Sequence, residues 1–133
     1  MAEIITKKQF LYRGKSLEEL QAMEVREFAK LLKSRRKRNV LRQFQKIEDF
    51  INRAKIKLSK NKPIKTHQRD LTIVPQMIGM RIGTYNGREF VPVDVVAEML
   101  GHVLGEFSNT RSKVKHGAAG VGSTKGTKSQ SKH

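Results

Sequence analysis

The segment 99–111, with the sequence MLGHVLGEFSNTR, concentrates side chains that could do chemistry. His102 stands a few residues before Glu106, and two hydroxyl side chains and Arg111 follow. An imidazole next to a carboxylate is the pairing that a general base uses, because the carboxylate orients the ring and stabilises its charged form. The same donors could equally hold a large anion. The rest of the sequence decides between these two functions.

A catalytic function for His102 finds little support elsewhere in the chain. Gly101 and Gly105 disfavour a continuous helix that would place His102 and Glu106 on one face. The chain has no GxSxG motif, and its glycines lack the spacing of a phosphate-binding loop. The sequence therefore predicts that the protein is not an enzyme. His102 is then either bonded to backbone within a loop or a donor at the edge of an RNA-facing loop.

Metal and cofactor sites are not predicted either. The chain has no cysteine, and its four histidines are scattered without the spacing of metal ligands. The lack of cysteine fits a reducing compartment, and the opening residues lack the apolar core of a signal peptide. We therefore expect a cytoplasmic protein without a metal or a cofactor.

The charge balance indicates a polyanionic partner. The 133 residues include 28 Lys and Arg against 12 Asp and Glu, for a formal net charge of +16. Such an excess of positive charge destabilises a compact state by self-repulsion unless a partner supplies negative charge. Nucleic acid is the commonest compensating partner, and no apolar run is long enough to favour a membrane. The length suits one domain with a modest core.

The N-terminal half shows helical patterns after a loose basic leader over residues 1–15. Ser16 and Glu19 match a capping box, which starts a helix. Apolar residues then recur with helical spacing over 25–32 and again over 41–54. Between these two stripes lies a basic run that we expect to project as a ridge and neutralise phosphates. The run includes Arg35, Arg36, Lys37 and Arg38.

Strand signals appear after a basic linker over 55–67, in which Pro63 prevents continuation of a helix. The sequence LTIVP at 71–75 predicts a short strand. Asn86 and Gly87 then predict a two-residue hairpin of type I′, because both central positions of that turn need positive φ.

The predicted turn also sets the register of the hairpin. It places Tyr85 opposite Arg88 and Ile82 opposite Val91, so that one face is apolar and faces the core. The other face either covers a second core layer or binds RNA, and we expect a mixture, with Phe90 buried under the helices and arginines at the rim. This second face carries Arg81, Tyr85, Arg88 and Phe90. Next, residues 95–100 predict a short helix that ends at Gly101.

The expected fold is α+β, with N-terminal helices and a small three-stranded sheet with a β-hairpin packed in two layers. Residues 1–61 are expected to form a basic leader and helical extension, and residues 62–111 the α+β core. Residues 112–133 contain mainly Gly, Ser, Thr and Lys, too little apolar surface to fold alone, and predict a disordered basic tail.

Several motifs together are more specific than any one of them. They are Thr66-His67-x-Arg69-Asp70, Asn86-Gly87-Arg88-x-Phe90-Val91, Gly101-His102-x-x-Gly105-Glu106-Phe107 and Thr110-Arg111. Over about Lys62 to Lys125, the chain strongly resembles the universal small-subunit ribosomal protein family numbered nineteen. It is similar to the archaeal and eukaryotic branch, whose eukaryotic members carry the number fifteen.

The resemblance implies a non-enzymatic constituent of the head of the small ribosomal subunit. It implies binding to the 3′ major domain of the small-subunit rRNA, beside the neighbouring head protein thirteen, with a tail that reaches toward tRNA and the decoding region. The implied rRNA contacts are Lys65, His67, Arg69, Arg88, His102, Arg111, Lys113 and Lys115. The tail that would face tRNA carries His116, Gly117, Gly120, Gly122 and Lys125.

The segment around His102 is then interpreted as a holding surface. Gly101 and Gly105 would let the backbone turn sharply and approach RNA, while Glu106 would fix the loop internally. Two other functions remain as alternatives to a ribosomal protein. One is a free-standing regulator that binds DNA or RNA through an arginine-rich helix, and the other is a small enzyme that acts on RNA.

Overall fold

The structure is a computed structural model and describes residues 8–117. It has the expected α+β architecture, with helices and two small sheets. The helices in the described part of the chain are α1 (Leu17–Ala22), α2 (Val25–Ala29) and α3 (Ser34–Ser59). The strands in the same part are β1 (Leu11–Tyr12), β2 (Lys15–Ser16), β3 (Ile64–Thr66), β4 (Arg81–Tyr85) and β5 (Phe90–Asp94). Short 3-10 turns occur at Pro75–Met77, Ala97–Met99 and Leu104–Phe107.

A small hairpin replaces part of the predicted loose leader. Strands β1 and β2 pair antiparallel, with Tyr12 opposite Lys15. Arg13 and Gly14 connect them and both have positive φ, 52° and 79°, as a type I′ turn requires. The capping box at Ser16 is confirmed, because its hydroxyl accepts from the Glu19 amide and the Glu19 carboxylate accepts from the Ser16 amide.

The basic run does not separate two helices, as the sequence suggested, but forms the beginning of the long helix α3. This helix contains 26 residues and packs against α2. Its buried stripe includes Val40, Ile47 and Ala54, one side of a helix with a period of 3.6 residues. The stripe meets Phe28 of α2, which is fully buried. The helix therefore places its basic first turns at one end of the core.

The C-terminus of α3 falls within the predicted linker and has a well-defined geometry. Asn61 adopts a left-handed conformation with φ of 53°, and its amide donates to the Leu58 carbonyl. The Lys62 amide donates to the Lys57 carbonyl at 2.9 Å. These two bonds form a Schellman motif, in which Asn takes the position usually held by Gly. Pro63 follows immediately, where a helix could not continue.

The three-stranded sheet is confirmed, but its third strand is not the predicted one. The order is β3-β4-β5, with β3 parallel to β4 and β5 antiparallel to it. The strand expected at 71–75 is instead a buried extended segment with a single isolated bridge between Thr72 and Val103. Its partner is the irregular loop after Gly101, so a regular ladder does not form.

The predicted hairpin register is wrong by two residues. Tyr85 pairs with Phe90 and Ile82 with Val93, and Gly87 has positive φ whereas Asn86 does not. The cause is the Asn86 side chain, whose Oδ1 accepts from the backbone amides of residues 88 and 89 at 2.9 Å each. A shift by two residues keeps every side chain on its predicted face. Ile82 and Val93 are accordingly buried, as expected.

The segment 69–73 positions the loop that carries His102. The Ile73 amide donates to the His102 carbonyl at 2.7 Å, and the Leu104 amide donates to the Leu71 carbonyl at 3.0 Å. Gly101 has a φ of 82°, which turns the chain into this pairing. The short helix expected over 95–100 is reduced to the 3-10 turn Ala97–Met99. Val95 instead exchanges backbone hydrogen bonds with the residues before β4.

The predicted disordered tail lies mostly outside the described residues. Residues 111–117 are exposed and belong to no helix or strand, and residues 118–133 are outside the described part of the chain.

The left-handed Asn61 leads to a testable prediction about stability. Asn61→Ala should lower the free energy of unfolding by about 1 kcal/mol. The left-handed conformation is unfavourable for alanine, which has a Cβ but lacks the polar side chain with which Asn can hydrogen-bond to nearby backbone. Asn61→Gly should leave stability unchanged or slightly higher. Urea unfolding followed by circular dichroism measures both. Lys60→Ala, at the neighbouring exposed C-cap with φ of −95°, is the matched control. Equal effects for Asn61→Ala and Lys60→Ala would contradict the assignment.

Candidate RNA-binding surface

The carboxylate of Glu106 joins two parts of the chain that are far apart in sequence. Its Oε2 lies 2.6 Å from the His102 Nδ1, and its Oε1 accepts from the Arg36 Nη2 at 2.8 Å. The first turn of α3 is thereby tied to the loop after Gly101. The prediction that Glu106 fixes the loop internally is confirmed. We call this contact the Arg36–Glu106–His102 bridge.

Within residues 8–117, the His102 imidazole is hydrogen-bonded to Glu106 and not to a hydroxyl that could serve as a nucleophile. Its side chain is 54% exposed, so the imidazole is not in a water-poor pocket. The Ser108 hydroxyl is buried and donates to the Thr84 carbonyl at 3.2 Å. His102 also packs edge-on against Phe107, with 5.9 Å between ring centroids. The arrangement orients the imidazole at a position open to solvent, and within residues 8–117 it does not include the hydroxyl that a catalytic triad needs.

The basic run at the start of α3 faces solvent except for Arg36. Arg35, Lys37 and Arg38 are exposed, whereas Arg36 is half-buried and turned toward Glu106. The first helical turn contains no acidic residue, and Lys33 at the N-cap has no acceptor in its side chain. Cations at a helix N-terminus are unfavourable, because the aligned peptide dipoles already place partial positive charge there. A bound anion would relieve this repulsion.

Arg69 makes internal contacts that the sequence did not reveal. Its Nη1 donates to the Tyr85 carbonyl at 2.8 Å, and its Nη2 donates to the carbonyls of Gly105 at 2.8 Å and Ser108 at 2.6 Å. The guanidinium thus clamps the end of β4 to the loop after Gly101. Most of its donors are engaged within the protein, which favours a positioning role over a contact with RNA.

Position 105 has little room for a side chain, because Arg69 lies close to the Gly105 backbone. A Cβ on Gly105 would lie 3.0 Å from the Arg69 carbonyl oxygen and 3.1 Å from the Arg69 Cβ. The close approach that we expected Gly105 to allow is therefore made to another part of this chain.

The exposed face of the three-stranded sheet carries a cluster of aromatic rings. His67 lies 4.5 Å from Tyr85 and 5.1 Å from Phe90, measured between ring centroids. The Tyr85 and Phe90 rings are themselves 5.1 Å apart. Phe90 is half-buried and its ring packs with these two rings, so the expectation that it lies buried under the helices is corrected. Sequence reasoning missed the position of His67 because the parallel pairing of β3 with β4 brings it there.

The remaining predicted residues are placed at the surface but are not gathered into one site. Lys65 is exposed on β3, and Arg88 is exposed at the hairpin turn. Arg111, Lys113, Lys115, His116 and Gly117 are exposed in the segment after the last 3-10 turn. Gly120, Gly122 and Lys125 lie outside the described residues.

The described residues show neither a metal site nor a membrane-spanning helix. Within residues 8–117, no group of three or more acidic or histidine side chains is arranged to hold a metal ion. None of the helices in the same range is long and apolar enough to span a membrane. A basic α+β protein with outward-facing cations and with Glu106 engaged internally is typical of a component of a ribonucleoprotein.

Comparison with known proteins identifies the family. A profile described as Ribosomal protein S19 matches residues 26–116. The chain is 44% identical over 125 residues to a protein described as small ribosomal subunit protein uS19 from the archaeon Halorubrum lacusprofundi. That alignment covers 91% of this chain and 89% of the relative. The chain therefore belongs to the ribosomal protein S19 family, in its archaeal and eukaryotic type.

Membership of this family confirms the class of function that the resemblance implied. The protein is a structural component of the small subunit of the cytoplasmic ribosome, with a role in translation, and is not an enzyme. The alternative of a small enzyme that acts on RNA is therefore set aside.

The Arg69 clamp leads to a prediction that separates internal from RNA-facing arginines. Arg69→Lys should lower the free energy of unfolding by roughly 2 kcal/mol, because an ammonium cannot reproduce the planar fork and leaves carbonyls without a donor. Thermal and urea unfolding measure this loss. Arg88→Lys, at an exposed turn position, is the control and should change stability by less than about 0.5 kcal/mol. A stable Arg69→Lys protein would show that the clamp contributes little.

Proposed function

We propose that this protein binds small-subunit rRNA in the 3′ major domain and holds it mainly by neutralising phosphates. The net charge of +16 supports this proposal, because a bound polyanion would relieve the self-repulsion of the compact state. Recognition is then dominated by backbone charge and RNA shape, with little direct reading of bases.

The observation that carries the proposal is the Arg36–Glu106–His102 bridge. It holds the basic first turn of α3 against the loop that continues into residues 111–117. Two groups of cations that are distant in sequence are thereby presented from a fixed frame, which reduces the entropy lost when RNA binds. The helix N-terminus adds amide donors and partial positive charge to this region.

The proposed contacts follow from which basic side chains face solvent. Those proposed to reach phosphates are Arg35, Lys37, Arg38, Lys65, His67, Arg88, His102, Arg111, Lys113 and Lys115. Arg36 and Arg69 belong to the same predicted set, but their contacts within the protein favour roles in positioning this surface.

We also propose the finer placement that the resemblance implies. In it, the protein lies beside head protein thirteen, and the basic tail extends toward tRNA near the decoding region. The exposed, cationic segment 111–117 supports this, because it belongs to no helix or strand and its side chains face solvent. Chemical cross-linking of intact small subunits tests both contacts through the peptides recovered with this chain.

Sedimentation at two salt concentrations is the first test of the proposed function. Cell extract is centrifuged through sucrose gradients at low and high salt, and the chain is detected by blotting. We expect it to migrate with small subunits at both concentrations, because many phosphate contacts and a shaped interface act together. Migration at the top of the gradient, or loss at modest salt, would instead favour a free-standing regulator.

The basic run leads to a quantitative prediction about rRNA affinity. The double variant Arg35→Gln/Arg38→Gln should weaken binding to a transcript of the 3′ major domain and reduce the slope of log K against log salt by about 1 for each cation removed. Filter binding over a series of salt concentrations measures the slope.

The matched control for this variant is on the same helix. Lys46→Gln removes an exposed positive charge from α3 away from its first turns, and it should leave the slope unchanged. An unchanged slope in the double variant, or an equal change in the control, would refute the assignment of the basic run.

A further inference from the structure

A groove with an apolar floor and a basic rim lies between the end of α3 and the exposed face of the three-stranded sheet. Its volume is about 620 Å³. The Schellman turn at the end of α3 forms one wall, and β4 and β5 form the other. Its lining includes Leu58, Lys62, Lys65, Arg81, Phe90 and Pro92. We call it the α3–sheet groove.

The floor of the α3–sheet groove is flat because Gly83 carries no side chain there. A Cβ at this position would lie 3.2 Å from the Phe90 Cβ and 3.4 Å from the Lys65 Cγ, closer than most real contacts. Beside Gly83, the Phe90 ring and Pro92 contribute apolar surface. The Tyr85 ring lies beside the Phe90 ring, with 5.1 Å between centroids and an angle of 52° between the ring planes. The floor of the groove therefore offers an aromatic surface to a planar ligand.

The rim of the α3–sheet groove is positively charged. Lys62, Lys65 and Arg81 all line it, and the lining residues in the described part of the chain include no acid. The Lys65 ammonium lies 5.3 Å from the centroid of the Phe90 ring, which is within the range of a cation–π contact. Arg81 lies 3.7 Å from Asp94, but both side chains are more than two-thirds exposed. Such an exposed pair is weak, so Arg81 can turn to another anion.

We propose that the α3–sheet groove binds one unpaired nucleotide of the rRNA, with its base stacked on the Phe90 ring and its phosphate held by Lys62, Lys65 and Arg81. The proposal rests on the rRNA binding proposed above and adds to it a defined site for a base. Stacking suits any nucleobase, since each has a π-face, and it needs a nucleotide that is out of the helical stack.

The charge on the rim distinguishes an RNA occupant from a protein segment. An apolar peptide could cover Phe90 and Pro92, but it would leave the rim cations without opposite charge. A nucleotide satisfies both parts at once, because it joins a flat apolar base to an anionic phosphate. Binding of a neighbouring protein segment in the groove is therefore the alternative that the experiment below distinguishes from binding of a nucleotide.

The experiment compares Phe90 variants of the full chain in binding to a transcript of the 3′ major domain. Phe90→Leu keeps an apolar side chain but removes the ring, and it should weaken binding by roughly 5- to 150-fold. Phe90→Tyr keeps the ring and should bind within a few-fold of the unaltered protein. Phe44→Leu is the matched control, because Phe44 is a half-buried aromatic residue on α3 that packs under Arg26.

Ultraviolet cross-linking of the unaltered chain in small subunits, followed by mass spectrometry, gives a second readout that does not depend on folding of a variant. We expect an RNA adduct on the peptide that contains Phe90. Equal affinity of Phe90→Leu and the unaltered protein, with adducts only on the basic run, would overturn the base site and leave rRNA binding intact. A cross-link from this peptide to a protein would also overturn it. If the unaltered chain itself does not bind the transcript, the proposed function is refuted.

Discussion

The placement of the candidate surface depends on the hydrogen bonds that the Arg69 guanidinium donates. It donates to carbonyls from the end of β4 and from the loop after Gly101, two segments that have no regular ladder between them. Backbone carbonyls left without donors inside a protein cost free energy, so an irregular loop needs a partner of this kind. With Arg69 in place, the loop can carry His102 and Glu106 at a fixed position. The bridge to Arg36 then follows, and with it the orientation of the basic turn of α3.

The large positive charge makes the few acidic side chains important. Glu106 accepts from Arg36 and contacts His102, the Asp70 carboxylate accepts from the Gln43 amide, and the Glu19 carboxylate caps α1. These acids act within the fold, whereas most of the cations face solvent. Because an exposed ion pair contributes little to stability, the function of Glu106 is better understood as geometric. The protein therefore folds with a largely uncompensated cationic surface, which suits a polyanionic partner.

Some local signals in the sequence predicted elements that the structure confirms, others such as the strand at 71–75 were wrong, and the pairing of distant segments was not predicted. The capping box at Ser16 and the helical stripe around Phe28 depend on residues within a few positions, and both are confirmed. The strand β3 was missed because it is stabilised by parallel pairing with β4, which no local pattern announces. The hairpin register failed for a different reason, since the Asn86 side chain caps the turn and moves its centre by one residue. At the candidate surface, exposure of the cations was predictable, but the contacts of Arg36 and Arg69 needed the fold.

The pairing of His102 with Glu106 shows why residue types alone do not define a site. In a hydrolase the carboxylate orients the imidazole, and the imidazole then contacts a hydroxyl that it can deprotonate. Here the carboxylate is shared with Arg36, and the nearby Ser108 hydroxyl donates to a backbone carbonyl in the core. The ring is thus held by Glu106 on one side, with more than half of the side chain open to solvent. What remains available is an imidazole held in one orientation at a cationic surface, an arrangement that suits contact with a large partner better than catalysis.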